Sequence, residues 1–325
     1  MIKSLSIERF KSIRRLQIDC RRINLFIGEP NTGKSNILEA LGFLSWCGRL
    51  NAPLKDYVRI QQAQNLFYDG LVDDPIRIET QGEPTCAVTV AFEQDKFMVR
   101  SEGENQTGIN IDYQGNAGRR NKPLDGLQNI KTYRYRPLEK FENPDVSALA
   151  CPSGNNLVSL IQGSKVLRDR AQSYFEDCGL RVYVKPHEKV IEIVKQGDGI
   201  LIGYPYLLSS DTLQRMVFFS AAMETNKGAT LVFEEPEAHA FPYYTKQMGE
   251  EIGLETDNQY FIATHNPYLL TAILEKADKA DVAVFVTYFR DFETRVKPLT
   301  EDQLSEMLGG DPFYMSQRFV EESGE

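Results

Sequence analysis

The distribution of apolar and polar residues along the chain predicts alternating strands and helices. Residues 76–101 divide into three short segments, separated by turn residues, that are typical of antiparallel strands. Residues 23–27 and 231–233 are continuous apolar runs, which indicate strands buried on both faces. Helical spacing is predicted at residues 34–47, 154–179, 211–223 and 243–252.

Composition narrows the class of protein. The chain has 325 residues, 42% of them hydrophobic, and a formal charge of −9, so it can bury a core but is not coated in basic surface. No apolar run approaches a membrane span, which predicts no membrane partner. The cysteines show no CxxC pairing, which indicates reduced thiols and a cytoplasmic location. They are Cys20, Cys47, Cys86, Cys151 and Cys178.

The segment GEPNTGKS, Gly28 to Ser35, fits the phosphate-loop pattern G-x-x-x-x-G-K-[ST] between an apolar strand and a helix. Its backbone N–H groups and the helix start favour an anion, Lys34 would neutralise the β and γ phosphates of ATP, and the Ser35 hydroxyl would ligate Mg²⁺. The alternative is a plain strand–turn–helix with a chance match. The predicted nucleotide-binding residues are Gly28, Glu29, Pro30, Asn31, Thr32, Gly33, Lys34, Ser35 and Asn36.

A second motif, TLVFEEPEAHAFP, follows from Thr230 and supplies two carboxylates at the end of a buried strand. Glu234 is predicted to hold Mg²⁺ through water, and Glu235 to act as the general base for the attacking water. An acidic turn without function is the alternative, and the phosphate loop argues against it.

A third strand, QYFIATH, ends at His265. A histidine at this edge of the sheet is predicted to donate a hydrogen bond to the γ phosphate and to act with Glu235 and Lys34 in catalysis. A strand-end histidine with only a structural role is the alternative.

These motifs together resemble the ATP-binding-cassette (ABC) superfamily, in particular the RecF/SMC-like and OLD-family ATPases, often labelled AAA-type ATP-binding proteins. The resemblance implies an α/β fold: a P-loop NTPase of ABC-ATPase type, with a mixed sheet core, an antiparallel β lobe and a helical lobe. It implies a single domain over residues 1–325. Lobe I would comprise about 1–136 and 226–325, with a β-rich insertion at about 76–136, and lobe II about 137–225. The short middle segment and the roughly sixty residues after His265 predict neither a coiled coil nor an appended nuclease domain.

The family also uses a signature loop that contacts the γ phosphate of the opposite subunit. The matching stretch here is LSSDTLQR, the signature segment (Leu208–Arg215), in which Ser209 and Ser210 would donate hydrogen bonds. Asp211 stands where the family has glycine, adding bulk and negative charge. Because the signature loop contacts the opposite subunit, the resemblance implies an ATP-dependent homodimer. Asp211 motivates an alternative, a nucleotide-gated switch with little hydrolysis.

The predicted role is ATP hydrolysis in DNA repair or in defence against phage and mobile elements, with a separately encoded effector or nuclease. An ATPase subunit of a transporter is the other alternative.

DNA binding is a further hypothesis, set against ordinary solvated surface. It rests on three groups of basic residues: Lys11, Arg14, Arg15, Arg21 and Arg22; Arg119, Arg120 and Lys122; and Lys131, Arg134 and Arg136.

Overall fold

A computed structural model describes residues 1–50, 52–102, 108–118, 122–309, 315, 318 and 319. Arg119 and Arg120 lie outside these described residues. The strands are β1 (Ile2–Phe10), β2 (Ile13–Asp19), β3 (Ile23–Ile27), β4 (Ile76–Gly82), β5 (Cys86–Glu93), β6 (Lys96–Ser101), β7 (Gly108–Ile111), β8 (Ile130–Tyr133), β9 (Arg181–Lys185), β10 (Val190–Gly197), β11 (Ile200–Pro205), β12 (Thr230–Glu234), β13 (Gln259–Ala263), β14 (Val282–Arg290) and β15 (Glu293–Pro298). The helices are α1 (Lys34–Cys47), α2 (Leu157–Gly163), α3 (Lys165–Glu176), α4 (Asp211–Thr225), α5 (Pro242–Leu254), α6 (Pro267–Lys276) and α7 (Glu301–Leu308).

The central sheet has the strand order β15-β14-β3-β13-β12-β8. Its pairs are parallel from β14 to β8, and β15 is antiparallel at one edge. Every residue of β3 and β13 is buried, as expected for parallel strands covered on both faces. Their side chains alternate between two hydrophobic cores, with Leu25 in one and Phe26 in the other.

An antiparallel sheet of order β2-β1-β4-β5-β6-β7 covers one side of the molecule. In β1 the residues Ile2, Leu5, Ile7 and Phe10 are buried, which fixes the face it turns to the core. β8 lies within the predicted β-rich insertion, yet it is paired with β12 in the central sheet. Parallel pairing with β12 provides hydrogen-bond partners for the backbone of β8. Conversely, β1 and β2 belong to the antiparallel sheet although they precede the predicted insertion.

Helix α1 lies between the two sheets and packs against β8, β12, β13 and β1. Apolar side chains such as Phe43 and Trp46 fill this interface. The helix that begins at Lys34 is therefore held on both sides, so the residues at its amino end are fixed relative to the central sheet.

The range predicted for lobe II, about residues 137–225, contains α2, α3 and α4 together with a three-stranded sheet of order β11-β10-β9. The helix predicted over residues 154–179 is two helices, because Ser164 leaves helical geometry and caps α3 by accepting a hydrogen bond from the Leu167 amide. In the described part of the chain, no helix combines the length and apolar character needed to cross a membrane.

Candidate nucleotide-binding site

The three sequence motifs meet at one edge of the central sheet. β3, β13 and β12 are neighbours and run parallel, so their carboxyl ends lie side by side. β3 leads into the phosphate loop, β12 ends at Glu234 and β13 leads to His265. Ligands of open parallel sheets bind at this edge.

The phosphate loop has the curled backbone that its glycines permit. Gly28, Asn31 and Gly33 have positive φ angles of 136°, 63° and 94°. The Thr32 hydroxyl donates to the Glu29 carbonyl at 2.9 Å and braces the turn. A Cβ atom on Gly28 would lie 2.2 Å from the Thr287 carbonyl oxygen, so the neighbouring strand leaves no room for a side chain.

Gly28→Ala is therefore expected to lower the free energy of unfolding by about 2 kcal/mol or more, because it combines an unfavourable φ with a backbone clash. Gly179→Ala is the matched control, since Gly179 also has a positive φ of 68° but a Cβ atom there would meet nothing within 4 Å. It should cost about 1 kcal/mol. Equal losses in chemical unfolding would show that contact with Thr287 is unimportant.

Lys34 is buried and its ammonium group is directed into the loop. Its Nζ donates to the carbonyls of Gly28 at 2.8 Å and Glu29 at 2.7 Å. Burial lowers the pKa of Lys34 to about 8, although the nearby carboxylates of Glu235 and Glu29 act in the opposite direction. A cation with this environment lacks a full counter-charge, which favours binding of an anion.

ATP affinity should consequently depend on pH. A phosphate beside the ammonium would raise its pKa above the free value of about 8. Affinity should therefore be constant below that pH and fall above it, by up to about tenfold per pH unit. Calorimetric titrations at several pH values measure this, and Lys34→Arg is the control because a guanidinium does not titrate in this range. If ATP affinity falls equally steeply with pH in both proteins, Lys34 is not the group whose titration weakens binding.

Glu235 and His265 form a pair next to Lys34. Glu235 Oε1 lies 3.3 Å from His265 Nε2, and Glu235 has a positive φ of 44° that turns it away from the line of β12. Burial and the charge of Lys34 lower the pKa of His265, although Glu235 opposes this change. A neutral imidazole can donate through one ring nitrogen and accept through the other, so the pair can orient a polar ligand.

Glu234 lies in a network of ion pairs. Its two oxygens are 3.1 Å from Arg59 and 3.2 Å from Arg134. Both arginines also pair with Glu39 of α1, which is only 3% exposed and is bound by Lys11 as well. Burial alone would raise the pKa of Glu39, but Lys11 and Arg59 lower it below its usual value. Arg59 and Glu39 were not predicted from the sequence as part of the site, and Lys11 and Arg134 were predicted only as DNA-binding residues or, alternatively, as solvated surface charges.

The donors available for Mg²⁺ are the Ser35 hydroxyl and the Glu234 carboxylate. Both are hard oxygen ligands, and Mg²⁺ at phosphate sites commonly uses only one or two protein groups. Among the described residues, no group of three or more His, Cys, Asp or Glu side chains could hold a metal on its own. The residues fit a metal that is shared with phosphates, provided that Glu234 exchanges its arginine partners.

Glu237 is a buried carboxylate for which the sequence predicted no role. It accepts a hydrogen bond from the Thr264 hydroxyl, and the same hydroxyl accepts one from the Asn266 amide at 3.0 Å. Burial raises the pKa of Glu237 to about 7, while the Thr264 hydrogen bond acts to lower it. This bridge between the segments after β12 and β13 fixes the loop that carries His265.

The remaining predicted residues have defined positions. Asn36 donates to the Ser12 hydroxyl at 2.6 Å, so its side chain is engaged with the antiparallel sheet. Ser209 donates to the Tyr206 carbonyl at 2.7 Å. Ser210 precedes the first residue of α4, and Asp211 pairs with Arg215 at 2.7 Å. The negative charge of Asp211 is therefore offset within its own helix.

Several basic residues of the DNA hypothesis make internal contacts. Arg22 is buried, pairs with Asp281 and donates to the carbonyls that end α5. Arg21 donates to the Lys279 carbonyl, and Lys131 donates to Asn226. These contacts hold the three side chains to other parts of the fold, which argues against DNA binding by them and differs from the alternative of ordinary solvated surface.

The fold and part of the sequence match known proteins. Residues 1–146 match the family described as AAA ATPase domain. A crystallised Smc head bound to the C-winged helix domain of ScpA is 17% identical, with a TM-score of 0.56, and the alignment covers 93% of this chain and 99% of that one. The Smc head domain with an extended coiled coil bound to the C-terminal domain of ScpA, from Pyrococcus furiosus, is 14% identical, with a TM-score of 0.56 and coverage of 95% and 98%. No curated protein matches the chain in sequence.

These comparisons confirm the predicted fold class, that of the SMC-head P-loop ATPase domains. At 17% and 14% identity the likeness to the Smc heads shows the fold alone, and the match to the AAA ATPase domain is confined to residues 1–146.

Proposed function

We propose that the protein binds ATP at the edge of its central sheet and hydrolyses it to ADP and phosphate. The observation that carries this proposal is the convergence of Lys34, Glu235 and His265, whose charges influence one another across a loop of phosphate-binding geometry. The amides of residues 28–35 and the start of α1 would hold the phosphates, as the sequence motif predicts.

ATP hydrolysis needs few catalytic side chains, because phosphoryl transfer is accelerated mostly by positioning the reactants and by stabilising the charge on the phosphates. Glu235 would accept a proton from the attacking water, and neutral His265 would orient the water or donate to the γ phosphate. Lys34 would exchange the carbonyls of Gly28 and Glu29 for phosphate oxygens. Ser35 and Glu234 would hold Mg²⁺, which neutralises charge on the phosphates when it is bound.

Two copies of the chain would complete each site. In this arrangement Ser209 or Ser210 of one protomer would contact the γ phosphate bound by its partner, and hydrolysis would release the dimer. The pairing of Asp211 with Arg215 supports this, because the carboxylate does not face the phosphate as an uncompensated charge. A role in DNA repair or phage defence with a separate effector remains part of the proposal.

A nucleotide-gated switch with slow hydrolysis is the second candidate. It is favoured by Glu234, whose carboxylate is held by two guanidinium groups that must be displaced before it can serve a metal.

Two measurements test the proposal. The first is steady-state phosphate release with ATP and Mg²⁺, and the second is the mass of the protein in solution with and without ATP. An ATPase should release phosphate continuously and dimerise with ATP, whereas a switch should dimerise without turnover. A protein that neither binds ATP nor changes mass would refute both. Stimulation by a membrane partner rather than by DNA would indicate a transporter subunit.

A further inference from the structure

The β14–β15 hairpin stands beside the phosphate loop on the side away from Glu235 and His265. β3, which leads into the loop, lies between β13 and β14, and these three strands run parallel. The carboxyl end of β14 is therefore at the same edge of the sheet as the loop. If the γ phosphate lies by Glu235 and His265, beyond β13 and β12, the opposite end of the nucleotide points toward the side of the sheet that carries the hairpin.

One face of the hairpin contacts the phosphate loop. A Cβ atom on Gly33 would lie only 1.9 Å from Thr294 Oγ1, so the Thr294 side chain packs against the end of the loop. Thr294 is directly opposite Phe289 in the antiparallel register, and side chains of opposed residues stand on the same face of a sheet. Phe289 therefore faces the side on which the loop lies, and its side chain is 49% exposed.

Phe292 is in the tight turn that joins the two strands. Arg290 and Glu293 are paired, so Asp291 and Phe292 form a two-residue loop, with positive φ angles of 54° and 65°. Such turns favour asparagine or aspartate followed by glycine, and a bulky side chain at the second position is strained. Phe292 is also 81% exposed, the largest fraction among the large hydrophobic side chains that the structure describes. It therefore strains the backbone and buries little apolar surface in return, which points to a function rather than to a role in folding.

The tip of the hairpin is tied to the antiparallel side of the molecule, because the Tyr68 hydroxyl donates to the Phe292 carbonyl at 3.0 Å. β14 runs three residues past Thr287, the residue whose carbonyl is next to Gly28. At about 3.3 Å per residue, this carries the tip about 10 Å beyond the start of the phosphate loop. This reach is comparable to the separation between the β phosphate and the base of a nucleotide. The hairpin therefore offers two exposed rings, already positioned, where a base would lie.

We propose that the base of ATP stacks on Phe289 and Phe292, which together form a base-binding surface on the β14–β15 hairpin. This inference rests on the proposed function and deepens it. Base–aromatic stacking uses the flat face of the base, and a phenylalanine ring has no donor or acceptor with which to read its edge. The base-binding surface should therefore favour a nucleoside triphosphate over inorganic triphosphate, without distinguishing adenine from guanine.

Calorimetry of the full chain tests the base-binding surface by comparing ATP with inorganic tripolyphosphate. Both ligands are titrated with Mg²⁺ into proteins that carry Glu235→Gln to prevent turnover. The parent should bind ATP more tightly than tripolyphosphate. In the double variant Phe289→Ala, Phe292→Ala the ATP affinity should fall about tenfold or more, because alanine cannot stack on the base. The tripolyphosphate affinity should stay within about twofold of the parent, and GTP should lose affinity by the same factor as ATP.

Three further variants separate binding from folding. Phe292→Gly removes the ring and relieves the backbone strain, so the midpoint of chemical unfolding should move to a higher denaturant concentration while ATP affinity falls. Phe292→Trp keeps an aromatic ring and should retain most of the ATP affinity. Tyr183→Ala is the matched control, since Tyr183 is a 51% exposed aromatic residue of β9, and it should leave the affinity for both ligands unchanged.

The outcomes are distinguishable. If the parent protein binds neither ATP nor tripolyphosphate, the proposed function fails and the inference falls with it. If the parent binds both ligands but the double variant keeps its ATP affinity, the inference alone is overturned. Equal losses for ATP and tripolyphosphate would also overturn it, by showing that the hairpin acts on the phosphate loop and not on the base. The same holds if the parent binds ATP no more tightly than tripolyphosphate.

Discussion

Replacing Glu235 with Gln is expected to lower steady-state phosphate release by about 10²- to 10⁴-fold, the usual contribution of a general base. The amide cannot accept the proton of the attacking water, yet it has almost the same shape. ATP binding should persist, because Lys34 and the amides of the phosphate loop, which would hold the phosphates, are still present. The ATP-dependent dimer should accumulate, since hydrolysis is proposed to release it.

Glu275→Gln is the matched control, since this exposed glutamate lies on α6 and should leave turnover unchanged. Rapid phosphate release by Glu235→Gln would remove Glu235 from the proposed role. Wild-type rates as low as those of Glu235→Gln, with ATP still bound, would instead support the nucleotide-gated switch.

Lys34→Ala should weaken ATP binding by about 100-fold, equivalent to about 2.7 kcal/mol. The change removes a buried cation, and the triphosphate would lose its principal side-chain counter-charge. The carbonyls of Gly28 and Glu29 would also lose their donor, so some destabilisation of the loop is expected. Calorimetric titration with ATP and Mg²⁺ gives the affinity directly.

Lys227→Ala is a suitable control, because this exposed lysine pairs with Asp257 near the amino ends of β12 and β13, at the opposite edge of the sheet. It should leave affinity unchanged. A Lys34→Ala protein that retains wild-type affinity would show that the nucleotide, if bound, does not lie on this loop.

Short-range patterns made much of the fold predictable from the sequence. The helix predicted from Lys34 to about Cys47 agrees with α1, and β4, β5 and β6 occupy the three segments predicted between residues 76 and 101. The convergence at the sheet edge could also be anticipated, because strands that end in polar motifs align their carboxyl ends when they run parallel.

The parts that escaped prediction depend on contacts between distant segments. Arg59 lies in a polar stretch without periodicity, and only the folded chain brings it to Glu39 and Glu234. β15 was missed because its six residues, ETRVKP, show little apolar character of their own. Glu39 sits in an apolar helix pattern, so its role as the centre of an ion-pair network has no local signal.

The most direct test of the central claim is an experimental structure of the Glu235→Gln protein with ATP and Mg²⁺. We expect the triphosphate to lie on the amides of residues 28–35, with Lys34 Nζ moved from the carbonyls of Gly28 and Glu29 to phosphate oxygens. We also expect the side chain at position 235 and His265 to lie beside the γ phosphate. A nucleotide bound elsewhere, or a Lys34 that keeps both carbonyl contacts with ATP present, would contradict that claim.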